Sequence, residues 1–264
     1  MRNALPNLKK EIAASKGRHL VLVLDFDGTL TRVRRRFEDV RLSKSMERSL
    51  CSLSKLKDVR VVILTGRTRP FMRKTFNVPG VEVIAERGVF LTREYRRNKS
   101  SITLMLGKMN SLLAPLTRKY GARVEKKEAS TVFHVRNVAS ALKDAALQEA
   151  VEKAMSVRGV GRLFTPVYGR MTVEFQPKGL PDKGEAMEEI IKRYGSENMY
   201  VYIGDDEADE PAFKAVKKRG FGVLVRSKEK DYINTKAKYY LKGLAEVRNL
   251  LGLVYALKKN EGRG

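Results

Sequence analysis

One cysteine, two histidines and no tryptophan occur in 264 residues. A lone Cys51 excludes an internal disulfide, and with only His19 and His134 the chain cannot assemble a zinc cluster. Any metal must therefore be held by oxygen. No apolar run approaches the roughly 20 residues of a membrane span, and Met1 to Lys10 lacks the hydrophobic stretch of a secretory leader. A soluble, cytoplasmic protein is expected. Acids are also scarce, 30 against 54 lysines and arginines, for a net charge of +24. Such an excess concentrates anions of every kind, nucleic acids and phosphorylated metabolites alike. The basic residues are spread along the chain, with no zinc finger, no aromatic RNP-like strand and no basic region running into heptads, so nucleic acid is the weaker expectation. Acids interspersed among them also fit a surface of ion-pair networks.

What is present is a series of short apolar runs. "LVLVL" at 20 to 24 suits a strand buried on both faces, and "VRVVIL" at 59, "VEVIA" at 81, "MYVYI" at 199, "FGVLV" at 221 and "AKYYL" at 237 repeat the signal. Helical faces lie between them, one through Leu42, Met46, Leu50, Leu53 and Leu56, another through Met187, Ile190, Ile191 and Tyr194. The alternation predicts an α/β fold with a doubly wound parallel sheet. It breaks between about Thr92 and Lys178. There a helix through Leu104, Met105, Met109, Leu112, Leu113 and Leu116 precedes strands "ARVEKK" and "TVFHVRN", and a helix from Ala139 to Met155 precedes "RLFTPV" and "MTVEFQP". This αββαββ pattern predicts an inserted α+β domain at 92–178 within a core of 1–91 and 179–264.

The chemistry sits where apolar runs end. In open α/β sheets ligands bind beyond the carboxyl ends of the strands. Asp25 and Asp27 follow the first run in "DFDGT", two residues apart and so on one side of the chain, with Gly28 permitting a tight turn. The same letters also suit a plain turn before a helix. A second cluster, "IGDDEADEPAF", sets Asp205, Asp206 and Asp209 after another run, although acids also enrich helix starts. So many converging carboxylates need a cation, and oxygen ligands with room for water and phosphate describe magnesium. Thr65 opens "TGR" at a third strand end, with Gly66 and Arg67 beside it as candidate substrate-binding residues. Lys183 opens a helix in "LPDKGEAM", a place that favours an anion.

The order DxDGT, Thr, Lys, GDD resembles the haloacid-dehalogenase-like phosphatases (the HAD superfamily). Within it, "LTGR", "AERGVFL", "VEFQPKGLPDKG" and "IGDDEADEPAF" resemble the trehalose-6-phosphate phosphatases, whose Rossmann-like core carries an inserted cap of type IIB. The resemblance implies a magnesium-dependent phosphoric monoester hydrolase of trehalose biosynthesis, with residues 92–178 as a substrate-specificity cap. It implies that Asp25 is the nucleophile and Asp27 the general acid and base. Thr65 and Lys183 would grip the phosphoryl group. Asp25, Asp27 through its main-chain carbonyl, Asp205, Asp206 and Asp209 would make up the metal site. In the cap, His134, Arg136 and Glu174 are candidate sugar contacts, with Arg170 and Lys178 as further positive charge. His134 equally suits a packed sheet position, and Glu174 half of a surface pair. A trehalose-phosphate synthase is the protein partner the resemblance implies.

Three departures bear on the sugar. Arg87 stands where the family more often has histidine, Ala208 where it has threonine, and Gln176 where it has arginine. Sucrose 6-phosphate and mannosyl-3-phosphoglycerate phosphatases are the neighbouring readings, and a nucleic-acid-binding or regulatory protein on a catalytically retired scaffold is the reading from another class. "RVRRRF" after the first motif, with Arg32, Arg34, Arg35 and Arg36, would steer an anionic substrate inward or form a solvated basic face.

Overall fold

The structure, a computed structural model, describes residues 1–15, 17–32, 39–169, 171–226 and 234–261. Arg34, Arg35, Arg36 and Arg170 lie outside the described residues. The chain opens with β1 (Arg2–Asn3), α1 (Ala4–Ala13), β2 (Leu20–Leu24), α2 (Lys44–Ser54), β3 (Val59–Leu64), α3 (Arg69–Thr75) and β4 (Glu82–Ile84). Then come α4 (Arg93–Tyr120), β5 (Arg123–Lys126), β6 (Thr131–His134), α5 (Lys143–Met155), α6 (Val160–Leu163), β7 (Phe164–Gly169) and β8 (Thr172–Pro177). The remainder holds α7 (Lys183–Tyr194), β9 (Met199–Gly204), α8 (Glu210–Val216), β10 (Gly220–Val225), β11 (Tyr239–Leu241) and α9 (Leu244–Glu261). Two compact units result, 1–88 with 181–264, and 89–180.

The first unit is a parallel sheet in the order β1-β11-β10-β9-β2-β3-β4. Its strands are continuous apolar runs because helices cover both faces. Leu20, Leu22 and Leu24 pack with Leu8 and Ile12 of α1, Met46, Leu50 and Leu53 of α2, and Leu250, Leu251 and Val254 of α9. On the other face Tyr202 meets Phe213 of α8 edge to face, ring centroids 5.6 Å apart, and Met187 and Ile190 of α7 are fully buried. Register then places the chemistry. Leu24 lies opposite Ile63 of β3 and Ile203 of β9, so the three strands end level and the residues after them share one edge of the sheet. Among the described residues, no helix is long and apolar enough to cross a membrane.

The second unit is an antiparallel sheet, β5-β6-β8-β7, with α4 and α5 on one face. Phe133, Val173 and Phe175 project into a core shared with Leu106, Met109 and Leu113 of α4 and Ala146, Ala150 and Ala154 of α5. The buried face of α4 differs from the expected one. It begins at Arg93, one turn after another buries Tyr95, Ile102, Leu106, Met109, Leu113 and Leu116, and Leu104 and Leu112 are exposed. The alternate residues of β8, Thr172, Glu174 and Gln176, are half-buried on the face opposite the helices.

Candidate active site

Asp25 leaves β2 with its amide bonded to Ile203 O at 2.8 Å, and its side chain is 7% exposed. Gly28 makes the next turn. Its φ is 84°, its N–H donates to Thr31 O at 2.9 Å, and a Cβ built on it would fall 2.2 Å from Asp205 Oδ2. Only a residue without a side chain lets the first acidic loop lie against the second. A Gly28→Ala variant is therefore expected to lose more than about 1 kcal/mol of stability, from the left-handed backbone and the displaced Asp205 together. Denaturant unfolding checks this, and an unchanged midpoint would refute the close approach.

Lys183 reaches the same spot from the start of α7. The helix begins there because Asp182 and Glu185 form a capping box: Asp182 Oδ1 accepts from the amides of Gly184 and Glu185, and Glu185 Oε2 accepts from the amide of Asp182. The ammonium donates to Asp25 Oδ1 and Asp209 Oδ1, both at 2.7 Å. Burial works against that charge, but the two carboxylates outweigh it and push the lysine's pKa well above its ordinary value. Burial pushes the Asp25 carboxyl well up from the usual range, with Lys183 opposing and Asp209 and Asp205 adding to the rise.

Asp209 is the organiser of the second loop. Its Oδ1 also accepts from Tyr202 OH at 2.6 Å, and its Oδ2 accepts from the amides of Asp205 and Asp206 at 2.9 and 3.0 Å. Four donors thus occupy both of its oxygens. Burial and the neighbouring Asp209 push the Tyr202 hydroxyl well above its usual pKa, so it stays a donor. Asp205 is buried and accepts from Thr29 Oγ1 at 3.4 Å, while Asp206 is half-buried and its Oδ1 caps the Ala208 amide. Carboxylate oxygens of Asp25, Asp205 and Asp209 all lie within 4.8 Å of one another. A buried group of hard anionic oxygens at that spacing fits a divalent cation such as magnesium. With both oxygens of Asp209 already occupied by these four donors, Asp25 and Asp205 are the better-placed ligands.

Asp27 and the "TGR" loop make a second cluster. Arg67 grips Asp27 at two points, Nε to Oδ2 at 2.7 Å and Nη2 to Oδ1 at 2.6 Å. Thr65 is buried, its Oγ1 accepting the Arg67 amide at 3.2 Å, and Gly66 is exposed. A turn at 86 to 88 braces this loop. The amides of Glu86 and Arg87 donate to Arg67 O and Thr65 O at 2.9 and 2.8 Å, and both residues hold left-handed backbone, φ 49° and 56°. Such conformations cost on the order of 1–3 kcal/mol each and persist where surrounding structure enforces them.

In the second unit, His134 bonds Glu125 at 3.0 Å. That hydrogen bond, against burial, holds the glutamate below the usual carboxylate range. Glu174 accepts from Lys127 Nζ at 2.9 Å, Ser130 Oγ at 2.6 Å and Gln176 Nε2 at 2.8 Å. Arg136 is exposed beyond β6, and Lys178 donates to Gly161 O at 2.7 Å.

Compared with known proteins, residues 23–244 match the family model described as trehalose-phosphatase. The chain belongs to the trehalose-phosphatase family. A probable trehalose-phosphate phosphatase D of Arabidopsis thaliana is 28% identical over 99% of this chain and 74% of its own length. Among solved structures, the trehalose-6-phosphate phosphatase of Aspergillus fumigatus covers 97% of this chain and 99% of its own, at a TM-score of 0.65 and 21% identity. The C-terminal domain of the Candida albicans trehalose-6-phosphate phosphatase covers 97% of both chains at 0.70 and 20%. These structural likenesses establish the HAD fold, and the family match makes this chain a phosphatase.

Within each unit of this trehalose-phosphatase-family chain, some contributors to these networks carry no sequence signal, Tyr202 in the first and Lys127 and Ser130 in the second. Tyr202 lies inside an apolar run that reads as core, and nothing in the run marks its hydroxyl. Lys127 and Ser130 sit in a polar stretch with no motif of their own, and only the fold brings them to Glu174. The capping box did leave a signal, Asp182 and Glu185 three apart before an apolar helix face.

Proposed function

We propose that this chain hydrolyses trehalose 6-phosphate to trehalose and phosphate, with magnesium, through an aspartyl-phosphate on Asp25. The observation that supports this reading best is buried Asp25 held by the Lys183 ammonium beside Asp205, at the strand ends of a chain that matches the family along most of its length. Lys183 takes Asp25 Oδ1 and leaves the other oxygen to attack phosphorus in line with the sugar oxygen. The bond from phosphorus to that oxygen breaks, and Asp27 supplies the proton the sugar needs. Water then attacks the aspartyl-phosphate, Asp27 takes a proton from it, and phosphate leaves with Asp25 regenerated. Thr65 and Lys183 hold the phosphoryl oxygens, where positioning and charge carry most of the catalysis. Asp25 and Asp205, with the main-chain carbonyl of Asp27, would hold magnesium, and Asp206 and Asp209 would order that set. When bound, the ion offsets the repulsion between carboxylate and phosphate and polarises a phosphoryl oxygen.

Phosphate release from trehalose 6-phosphate beside sucrose 6-phosphate, glucose 6-phosphate and mannosyl-3-phosphoglycerate, with magnesium or with chelator, tests the reading. Preference for trehalose 6-phosphate that vanishes with chelator is expected. Magnesium-dependent release from another sugar would discard the substrate, and release from none would discard the reaction.

Sugar discrimination is assigned to Glu174, His134 and Arg136 of the second unit. Glu174→Ala is expected to lower kcat/KM for trehalose 6-phosphate roughly 10- to 100-fold, the worth of hydrogen bonds to a charged group. Hydrolysis of nitrophenyl phosphate should stay near its original value, while the melting temperature should fall by a few degrees as Lys127, Ser130 and Gln176 lose their acceptor. Equal losses on both substrates would remove Glu174 from the sugar site.

A further inference from the structure

Arg67 follows the motif threonine and reads most simply as another arm for the phosphate. Its surroundings give it a different task. The side chain is only 16% exposed, its guanidinium lies over the Phe71 ring at 4.5 Å from the centroid, and its two-point pair with Asp27 spans 40 residues of sequence. Its main chain is held as well, through the amide to Thr65 Oγ1 and through its carbonyl to Glu86 N. The left-handed turn that supplies the Glu86 bond is itself packed against α7, since a Cβ on Gly88 would lie 2.8 Å from Ala186 Cβ. Ala186 stands three residues after Lys183 on that helix. A planar fork fixed at both ends and stacked on a ring is pre-organised for one carboxylate, whereas an arm that must follow a transferring group needs freedom at its tip.

Asp27 has complementary needs. It lies in the turn after β2, tied to the chain by its bridge with Thr31, and its side chain is 32% exposed. A short carboxylate at a solvent-facing turn has several rotamers open to it. Proton transfer tolerates little misplacement, because the carboxyl must come within hydrogen-bond distance of the sugar oxygen and then of the attacking water.

We propose that Arg67 is a positioning residue that acts through Asp27, fixing the orientation of the proton-transfer carboxylate rather than binding the phosphoryl group. This rests on the reading of Asp27 as general acid and base. The two oxygens of Asp27 are oriented by one rigid partner, and that partner is oriented by the brace at 86 to 88. The roles of nucleophile and proton carrier are thereby divided between two cations. Lys183 holds Asp25, and Arg67 holds Asp27.

The test uses full-length Arg67→Gln and Arg67→Lys, with Asp27→Asn as the reference. With trehalose 6-phosphate, Arg67→Gln is expected to lose roughly 100-fold in kcat with KM changed by less than about threefold. With nitrophenyl phosphate, whose leaving group departs without a proton, it should give a rapid burst of nitrophenolate and then slow turnover. Inhibition by inorganic phosphate should be unchanged, and free guanidinium at a non-denaturing concentration should restore part of the activity of an Arg67→Gly variant. Arg67→Lys, which keeps the charge and loses the fork, should fall between. A raised KM, a lost burst and weakened phosphate inhibition would overturn the proposal and make Arg67 a phosphate ligand. Unchanged kinetics in Arg67→Gln beside an inactive Asp27→Asn would overturn it while leaving the mechanism standing. Full activity of Asp27→Asn would instead defeat the underlying reading of Asp27, and the proposal with it. Circular dichroism and melting curves of each variant separate these results from misfolding.

Discussion

An Asp25→Asn variant loses sugar-phosphate hydrolysis by on the order of 10⁴-fold or more, the scale on which removal of a nucleophile acts. The amide keeps the shape of the side chain and an oxygen for Lys183, but cannot form an aspartyl-phosphate. Stability should move the other way or not at all. Asp25 is buried beside Asp205 and Asp209, burial works against its charge, and those two neighbours add to the strain of holding it. A neutral amide in its place relieves that repulsion, so the melting temperature is expected to hold or rise. Phosphate release and thermal unfolding measured on one preparation check both halves. Normal hydrolysis would remove Asp25 from the mechanism, and a large fall in melting temperature would mean that its charge is structural.

The second large effect is expected at Lys183. Replacing it by Met leaves Asp25, Asp205 and Asp209 together without the buried cation that joins two of them. Removing one partner of a buried ion pair costs about 3–5 kcal/mol, because the remaining charge stays buried and unpaired. In a protein of this size that corresponds to a fall of roughly 10 °C in melting temperature. The sign of the magnesium effect then becomes informative. A divalent cation should restore part of the lost stability in Lys183→Met, and should restore none of the activity. Lys192→Met is the control: its pair with Glu189 is exposed on the outer face of the same helix, and its loss should leave the melting curve in place. If Lys183→Met melts with the original protein, the buried network contributes nothing to the fold.

How much of this was legible in the sequence differs from element to element. "LVLVL" before two aspartates carries its own meaning, since a run buried on both faces must be a central strand, and the residues just after it must lie at the ligand edge. The same holds for Met199 to Asp205. What the letters could not supply is register. Only the pairing of Leu24 with Ile63 and Ile203 makes the three strand ends level, and that alignment is decided by packing between stretches far apart in the chain. The long helix of the second unit shows a different limit. Its leucines occur on more than one face, and Leu104 and Leu112 looked as apolar as Leu106 and Leu113. Which stripe turns inward depends on where the sheet residues Phe133 and Phe175 stand. The Asp27–Arg67 pair was hidden for a similar reason, each residue belonging to a separate motif with a sufficient role of its own.

The course of synthesis is set by the division of the chain. Residues 89–180 are one continuous stretch, whereas the other unit is assembled from 1–88 and 181–264. Its interior strand β2 lies between β3 and β9, and β9 begins only at Met199. A ribosome that has made Asp25, Asp27 and Thr65 has therefore made a sheet in which one side of β2 is still without its neighbour, with Lys183 still unwritten. The contiguous unit has a core of its own, and every residue of that core has been made once residue 180 is reached. The unit that holds the acids must keep its first half open while the whole of 89–180 is translated. The cluster of Asp25, Asp205 and Asp209 is thus complete late, after Asp209 has left the exit tunnel. Truncations that stop short of it would carry the whole of 89–180 beside a sheet that still lacks β10 and β11.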